Sequence, residues 1–170
     1  DVMSLKLEKL GFTEGPIGWI ESLMTGRKLR TRVGESYSDP VLINFGTPQG
    51  GHLSPLLFTL YTYDMEYYMQ EANWDLVCYA DDTNMVISID KNLSDDQQAT
   101  IINEKGSRFN KYCFINRLTA NSDKIQVLRP RCTGKLLKFI VGRDVIEESD
   151  SLNFPGIIFQ RDLGWNKQAH

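Results

Sequence analysis

The sequence predicts an α+β protein in which helices pack on one face of a small antiparallel sheet. Apolar residues recur at helical spacing in several stretches, and the longest of these covers residues 52–72. Short apolar segments separated by glycine, proline and aspartate predict strands between the helices. Several of these segments follow one another across a tight turn, which is typical of antiparallel hairpins.

The start of the chain predicts two helices. Residues 3–10 have the pattern of a helix end that Gly11 closes. Thr13 is positioned to cap the second helix, Pro16 falls in its first turn, and Gly26 ends it. One face of this second helix is apolar, with side chains at helical spacing: Ile17, Ile20, Leu23 and Met24.

Two strands are predicted next, over residues 28–33 and 41–45, joined across residues 34–40. Residues 46–51 then read Gly-Thr-Pro-Gln-Gly-Gly, which cannot form a regular helix or strand. Three glycines and a proline there allow the backbone to approach another group closely.

The helix predicted over residues 52–72 has an apolar line that indicates deep packing: Leu53, Leu56, Leu57, Leu60 and Tyr61. Asp64 continues this line, where a carboxylate is unfavourable without a partner. We therefore expect a structural hydrogen-bonding role for Asp64. A further helix is predicted over residues 95–114, with Ser94 and Gln97 forming a capping box at its start.

The remaining strands are predicted at residues 76–80, 85–89, 124–128, 136–141 and 153–159. The first two flank Asp81 and Asp82, so a tight hairpin is expected there. Gly142-Arg143 is a hairpin turn within the last group. No internal repeat or domain boundary interrupts this order.

The composition excludes several classes of protein. The 170 residues have the size of one domain, with an ordinary 41% hydrophobic and 24% charged content. No apolar run approaches the roughly 20 residues that span a bilayer, so no membrane association is predicted. The first residues do not resemble a signal peptide. Because they also lack an initiator Met, the chain reads as a piece of a longer polypeptide.

The cysteines, Cys78, Cys113 and Cys132, are odd in number and far apart. With only His52 and His170 beside them, no zinc-ligand spacing exists. We interpret all three as small structural side chains, with Cys78 buried in a strand. Free thiols of this kind fit a reducing, intracellular compartment, which the sequence does not resolve into nucleus or cytoplasm.

Charge is distributed unevenly along the chain, whose net charge is −3. Residues 64–96 contain nine acidic residues and a single basic residue, Lys91. Residues 125–143 contain five basic residues and no acid. One face for cations and another for phosphates would produce this division, and so would an unevenly charged solvated surface.

Asp81 and Asp82 are the residues that most directly indicate chemistry. A tight hairpin holds both carboxylates at its tip, where they repel each other unless a cation neutralises them. Oxygen ligands at a rigid tip suit Mg²⁺, which retains waters and recruits substrate phosphates. The alternative interpretation is an ordinary aspartate-rich turn.

Five segments set this hairpin in a wider pattern: Phe45-Gly46-Thr47-Pro48-Gln49-Gly50, Leu53-Ser54-Pro55-Leu56-Leu57-Phe58, Tyr79-Ala80-Asp81-Asp82-Thr83, residues 112–124 with Asn116, Leu118, Asn121 and Lys124, and Phe154-Pro155-Gly156-Ile157-Ile158-Phe159. In this order they resemble the reverse transcriptase family. More narrowly, they resemble the reverse transcriptases of non-LTR (LINE-like) retrotransposons. The resemblance covers residues 5–165.

The resemblance implies that residues 1–170 are a partial reverse transcriptase domain, the right-hand palm of the polymerase with part of its fingers. The implied activity is RNA-directed DNA synthesis by two-metal nucleotidyl transfer to a primer 3′-hydroxyl. It implies an RNA template, a DNA primer, deoxynucleoside triphosphates and two Mg²⁺ ions. The family's other metal-binding Asp is expected several residues before Asp1, so that strand and the thumb are missing from the chain.

The resemblance also implies roles for the residues of the acidic hairpin. Asp81 is the main metal ligand of the pair and Asp82 is its close neighbour. Tyr79 and Ala80 lie beside the primer terminus. Asp64 matches a family position after the helix of residues 52–72, and we favour a structural role for it over metal ligation.

Four residues outside the hairpin receive roles in the same way. Gln49 and Gly50 help to shape the nucleotide pocket and to position the template. Lys124 stands near the departing pyrophosphate, and its alternative is a solvated lysine before a strand. Gly156 belongs to the primer grip, where the neighbouring Pro155 replaces the usual leucine and cannot donate a strand hydrogen bond.

Two alternatives to a retrotransposon polymerase remain open. The first is a catalytically incomplete, reverse-transcriptase-like module that binds nucleic acid, since one metal-binding Asp is absent from the chain. The second is a group II intron or retron enzyme of the same polymerase class. Thr83 after Asp82 and the segment of residues 112–124 favour the retrotransposon type.

Overall fold

The computed structural model describes residues 1–70, 74–132, 135–154 and 156–164. Within this part of the chain, helices and short antiparallel ribbons confirm the α+β class. The strands form five separate two-stranded sheets, so the prediction of one small sheet is corrected. Among the described residues, each short strand pairs with one other strand. The chain divides into two compact units, one with residues 1–67 and 76–84, the other with residues 68–75 and 85–170.

The helices are α1 Val2–Lys9, α2 Glu14–Met24, α3 Ser54–Thr62, α4 Met65–Met69 and α5 Asp95–Ile115. The strands are β1 Arg27–Leu29, β2 Arg32–Val33, β3 Ser36–Tyr37, β4 Val41–Ile43, β5 Trp74–Tyr79, β6 Asp82–Ile87, β7 Lys138–Val141, β8 Asp144–Glu147, β9 Ser151–Phe154 and β10 Ile157–Gln160. The pairs are β1 with β4, β2 with β3, β5 with β6, β7 with β8, and β9 with β10.

Helices α1 and α2 follow the sequence closely. The Asp1 carboxylate caps α1 by accepting the Ser4 N–H at 3.0 Å. Helix α1 ends before Gly11, whose φ of +86° is the left-handed conformation expected of a closing glycine. Helix α2 begins after Thr13 as predicted, but the Thr13 hydroxyl makes no capping hydrogen bond.

The core of the first unit lies where α1, α2 and α3 meet. Its buried residues are Met3, Leu7, Ile17, Ile20 and Leu57. Leu23 and Met24 pack against this cluster, which confirms the apolar face predicted for α2. Burying a side chain of this size contributes roughly 1.5–3 kcal/mol, so this cluster is the main source of stability in the unit.

Lys6 is a buried cation that joins α1 to the junction between α3 and α4. Its side chain is 7% exposed. The Nζ atom donates to the Tyr61 carbonyl oxygen at 2.6 Å and to Asp64 Oδ1 at 2.6 Å. Asp64 thus has the hydrogen-bonding partner that its place on the apolar line predicted.

The single helix predicted over residues 52–72 is wrong because the chain breaks at this junction. Helix α3 ends at Thr62 and α4 begins at Met65. At this junction the Tyr61 carbonyl accepts from the Lys6 ammonium at 2.6 Å, so a charged side chain meets the backbone in the last turn of α3. The apolar spacing continues through the break and gives no sign of it.

The segment between α2 and α3 is a ribbon whose central turn was not foreseen. The predicted strand over residues 28–33 is divided into β1 and β2, and β4 occupies most of the second predicted strand. Strand β3 falls within the predicted connection and pairs with β2. Gly34, at φ +61°, turns the chain between β2 and β3.

In the second unit, α5 packs against β7. The capping box is confirmed, because the Ser94 hydroxyl accepts the Gln97 N–H and the Gln97 side chain accepts the Ser94 N–H. A Cβ atom at Gly106 would lie 3.0 Å from Val141 Cγ2, so glycine permits this close approach. The turn predicted at Gly142-Arg143 is confirmed between β7 and β8.

Two strand predictions in this unit are wrong. Ser122–Lys124 forms a 3-10 turn, and beyond it Val127 makes a single bridge to Glu148. The predicted strand over residues 153–159 is instead a hairpin, since Gly156, at φ +80°, turns the chain between β9 and β10. Pro155 lies outside the described residues.

A buried ion-pair network centres on Arg129. Its side chain is 5% exposed and that of Glu148 is 0% exposed. The guanidinium donates to both Glu148 carboxylate oxygens, at 3.2 and 3.1 Å, and to Asp95 Oδ1 at 2.8 Å. Burial disfavours the Arg129 cation, but the hydrogen bonds to Glu148 and Asp95 outweigh it and raise its pKa above the ordinary value.

The cysteines only partly match expectation. Cys113 is buried, and burial raises the pKa of its thiol, so it stays protonated at neutral pH. Cys78 is exposed, on a strand that pairs with β6 and with no other described strand. Cys132 is half-buried. Among the residues that the structure describes, no helix is long and apolar enough to cross a membrane.

Replacing Lys6 by Met is expected to lower the free energy of unfolding by about 2 kcal/mol, measured by urea denaturation. The change leaves Asp64 and the Tyr61 carbonyl without the buried ammonium. Asp64→Asn should cost less, since its amide oxygen still accepts. Lys9→Met is the matched control, because Lys9 is an exposed lysine in the same helix. Equal stability of the Lys6 and Lys9 variants would contradict this account.

Arg129→Met is expected to destabilise the protein by roughly 3 kcal/mol, because the buried Glu148 carboxylate then keeps only a longer contact of 3.7 Å with Arg161 as an ion pair among the described residues. The double variant Arg129→Met with Glu148→Met should recover part of this loss, since it removes both charges of the most buried pair. Lys138→Met removes an exposed pair with Glu147 and should leave the urea midpoint unchanged. A midpoint for Arg129→Met equal to that of Lys138→Met would overturn the assignment.

Candidate active site

The acidic hairpin turns through Ala80 and Asp81, which join β5 to β6. A connection of two residues can only link antiparallel strands. Ala80 adopts a φ of +52°, a left-handed conformation that costs a residue with a Cβ about 1–2 kcal/mol. The sequence predicted both carboxylates at the tip of the hairpin. In the structure, Asp81 lies in the turn and Asp82 is the first residue of β6.

Both carboxylates are accessible. Asp81 and Asp82 are exposed, and neither carboxylate forms a side-chain hydrogen bond or ion pair with another residue that the structure describes. Tyr79, which ends β5, has a 73% exposed side chain. The hairpin therefore presents two carboxylates and one aromatic ring to any approaching molecule.

The donor chemistry of the hairpin fits Mg²⁺. This ion is commonly held by one or two protein carboxylates, with waters and substrate phosphates completing its coordination. In the described ranges, no three His, Cys, Asp or Glu side chains gather around one point. Asp81 and Asp82 thus supply two ligands of such a site, and no third described residue joins them.

One side of β5 borders a cleft beside the junction that Lys6 holds. Side chains alternate along a strand, so Leu76 and Cys78 occupy one side of β5 and Tyr79 the other. Leu76 and Cys78 line a cleft of about 250 Å³ together with side chains of α3, α4 and their junction: Thr59, Thr62, Tyr63, Met65 and Glu66. Asp64, which binds Lys6, lies between two of these lining residues in the chain.

The glycine-rich loop of residues 46–51 is fixed where it enters α3. The Pro48 carbonyl accepts from the Gly51 N–H at 3.0 Å and from the Ser54 hydroxyl. A Cβ atom at Gly51 would lie 2.9 Å from Ser54 Oγ, so only glycine fits without displacing that hydroxyl. Gln49 and Gly50 stay exposed at the crest, and Gly50 has a φ of +76°.

Arg27 fixes the other end of this loop, and sequence reasoning missed it. Its guanidinium NH2 donates to the carbonyl oxygens of Phe45 at 3.0 Å and Gly46 at 2.5 Å. Its Nε donates to the Met24 carbonyl at 3.1 Å. No local pattern signals this role, because the carbonyls of Phe45 and Gly46 lie 18 and 19 residues from the arginine.

The other residues singled out by sequence lie in the second unit. Lys124 ends the 3-10 turn and is exposed. Gly156 occupies the turn between β9 and β10 and is also exposed. Within the first unit, no hydrogen bond or ion pair between described residues joins the glycine-rich loop to the acidic hairpin.

Comparison with known proteins adds to this geometry. A family model described as "Reverse transcriptase (RNA-dependent DNA polymerase)" matches residues 3–159. A Drosophila melanogaster protein described as "Probable RNA-directed DNA polymerase from transposon BS" is 34% identical over 93 residues. That alignment covers 52% of this chain and 10% of the relative, so the chain corresponds to a small part of the relative's length. No solved structure matches the chain.

The glycine-rich loop and the acidic hairpin both fall within the matched residues 3–159, which form most of the chain. Proteins of this family generally depend on a divalent metal and act on nucleic acid with deoxynucleoside triphosphates. The chain belongs to the reverse transcriptase family.

Proposed function

We propose that the parent protein is an RNA-directed DNA polymerase, and that this chain is a palm region of it with part of the fingers. The observation that carries the proposal is the pair Asp81 and Asp82, accessible and unpartnered at a tight turn inside the family match. The transposon named for the relative and the segment of residues 112–124 support a non-LTR retrotransposon origin. We propose that it acts inside the cell, in the nucleus or the cytoplasm, where nucleic-acid substrates are found.

Asp81 and Asp82 are proposed to bind Mg²⁺. The complete site, with its remaining carboxylate ligand, would hold two of these ions. When bound, these ions activate the primer 3′-hydroxyl and stabilise the leaving pyrophosphate. The remaining carboxylate ligand is proposed to come from sequence upstream of Asp1. The left-handed turn at Ala80 restricts the hairpin, so the carboxylates need little reorganisation when substrate arrives.

The other side chains are proposed to bind and orient the substrates. Gln49 and Gly50, on a crest held by Arg27 and Ser54, shape the deoxynucleotide pocket and position the RNA template. Tyr79 and Ala80 lie against the terminus of the DNA primer. This reading is supported by the exposure of the Tyr79 ring and by the fixed ends of the loop.

Two residues of the second unit complete the proposed set. Lys124 is a candidate proton donor to the departing pyrophosphate, and its exposed ammonium is free to meet phosphate oxygens. Gly156 is a candidate primer-grip residue, because a glycine at φ +80° lets a strand of nucleic acid approach the backbone closely.

A second candidate function is a nucleic-acid-binding module that does not catalyse synthesis. The observation that favours it is the lack of a third metal ligand beside Asp81 and Asp82 among the described residues. Magnesium-dependent DNA synthesis by the 170-residue chain itself would exclude this alternative.

Asp81→Asn is expected to reduce primer extension at least a thousandfold, or about 4 kcal/mol in transition-state stabilisation, because it removes a charged metal ligand. The assay measures deoxynucleotide incorporation on an RNA template by the polypeptide extended upstream of Asp1. Activity should depend on added Mg²⁺ in the unsubstituted protein.

Asp75→Asn is the matched control, since Asp75 is an exposed aspartate in the same ribbon, on β5. It should extend primers at the unsubstituted rate. Full activity of Asp81→Asn, or an equal loss in both variants, would remove the support for a metal-binding role of Asp81.

A further inference from the structure

The buried carboxylate of Glu148 lies where several segments of the second unit meet, and its side chain is 0% exposed. Its Oε1 atom accepts from Arg129 Nε at 3.2 Å. Its Oε2 atom accepts from Arg129 Nη2 at 3.1 Å and from the Leu137 N–H at 2.9 Å. The Arg161 guanidinium lies 3.7 Å from Oε1. Both oxygens of this carboxylate are therefore used as acceptors, and each of these partners is a donor.

The segment that follows Lys124 is held at this carboxylate. Lys124 is exposed and ends the 3-10 turn. Three residues later, Val127 forms a parallel bridge with Glu148, and its carbonyl accepts from the Ser149 N–H at 2.8 Å. Arg129 then binds the Glu148 carboxylate through two of its nitrogens. The exposed ammonium of Lys124 thus stands on a segment whose next residues are attached to Glu148.

The hairpin of β9 and β10 has its base at the same carboxylate. Strand β9 begins three residues after Glu148, and β10 ends immediately before Arg161. The Arg161 N–H donates to the Asp150 carbonyl at 2.9 Å, and the Arg161 carbonyl accepts from the Arg131 N–H at 2.7 Å. The turn at Gly156 is the far end of this hairpin. The segment after Lys124 and the base of the hairpin therefore meet at one buried ion pair.

We propose that Glu148 is a positioning residue that fixes the turn of Lys124 and the turn of Gly156 relative to each other. The inference rests on the proposed function, which gives these two turns their roles beside the pyrophosphate and the primer. A displacement of about 1 Å can lower the rate of a positioned reaction by a large factor, so a constant separation of the two turns supports the chemical step. Glu148 acts only through the backbone, because its side chain is buried.

Glu148→Gln tests this role with the smallest change of shape, because it turns one acceptor of the side chain into a donor. The new amide nitrogen must face either Arg129 Nε at one position or two donors at the other, so a donor meets a donor in the interior. We expect the segment from Lys124 to Arg129 to move away from the base of the hairpin. Glu147→Gln is the matched control, because Glu147 is an exposed neighbour that pairs with Lys138.

Spin labels measure the distance between the two turns without any reference to catalysis. The labels are attached through Asp123→Cys and Ile157→Cys, at two exposed positions that each adjoin one of the turn residues. Cys78→Ser and Cys132→Ser remove the accessible native thiols, and Cys113 is buried. Electron paramagnetic resonance then gives the distribution of distances between the labels.

The distance distribution is expected to be narrow in the labelled chain and in its Glu147→Gln control. In Glu148→Gln it should be about twice as wide, because the two turns lose their shared buried anchor. Arg129→Lys is a second variant, since lysine keeps the positive charge but cannot bind both carboxylate oxygens in the manner of a guanidinium. It should widen the distribution to a smaller extent. The urea midpoint of each variant shows that the measured protein is folded.

Deoxynucleotide incorporation by the polypeptide extended upstream of Asp1 tests whether the positioning reaches the reaction. Glu148→Gln is expected to lower kcat roughly tenfold. In a Lys124→Ala background the same change should lower kcat by less than about threefold, because the residue that it positions is already absent. A simple loss of folded protein would lower kcat by the same factor in both backgrounds.

The two measurements separate this inference from the proposed function. A narrow distance distribution in Glu148→Gln and Arg129→Lys would overturn the inference even if Asp81→Asn abolishes synthesis. An equal loss of kcat with and without Lys124 would overturn it as well. If the distribution widens but the unsubstituted, extended polypeptide makes no DNA, the proposed function fails and Glu148 remains the anchor of the two turns.

Discussion

The buried ammonium of Lys6 fixes how the first helix meets the junction between α3 and α4. It joins the first helix to a junction 58 residues further along the chain, through Asp64 and the Tyr61 carbonyl. A cation that is 7% exposed needs both partners, so neither the helix break nor the position of α1 can change without stranding a charge. The cleft beside this junction is lined by Leu76 and Cys78 of the strand that leads to Asp81. The ion pair and the strand that leads to the acidic hairpin thus border the same part of the first unit.

The candidate site combines exposed residues that can contact substrate with other residues that hold the backbone in place. Its exposed residues, Gln49, Gly50, Asp81 and Asp82, make few contacts of their own and remain accessible for substrate. Residues without a chemical role hold the backbone beneath them: Arg27 and Ser54 at the two ends of the loop, and Lys6 behind the hairpin. Strain is confined to single turn positions such as Ala80, where a fixed geometry matters most.

Local signals in the sequence predicted local structure well. Three features act through neighbouring backbone atoms: Gly11, the Ser94 capping box and the turn at Gly142. Short segments of sequence were therefore enough to predict them. The motif residues could also be recognised from the sequence, since the glycine-rich loop and the paired aspartates are short contiguous patterns inside the family match.

Features that depend on distant partners could not be predicted. Lys6 contacts the junction between α3 and α4, and Arg27 contacts the start of the loop, and both residues are far away in the chain from their partners. The spacing of apolar residues could not predict that the described strands form five ribbons. Strand pairing is decided by bulges and by turns such as the one at Gly156. Because the sequence did not show how the strands pair, Cys78 was predicted to be buried, whereas the structure shows that it is exposed.

The central claim is that the tip of the β5–β6 hairpin binds a divalent cation, and paramagnetic broadening by Mn²⁺ tests it most directly. Mn²⁺ takes the same oxygen ligands as Mg²⁺, and it broadens the NMR signals of nearby backbone amides even when binding is weak. The signals of Ala80, Asp81 and Asp82 are expected to broaden first and to recover when excess Mg²⁺ is added. Broadening spread evenly over the acidic residues 64–96, or absent from the hairpin, would contradict the account.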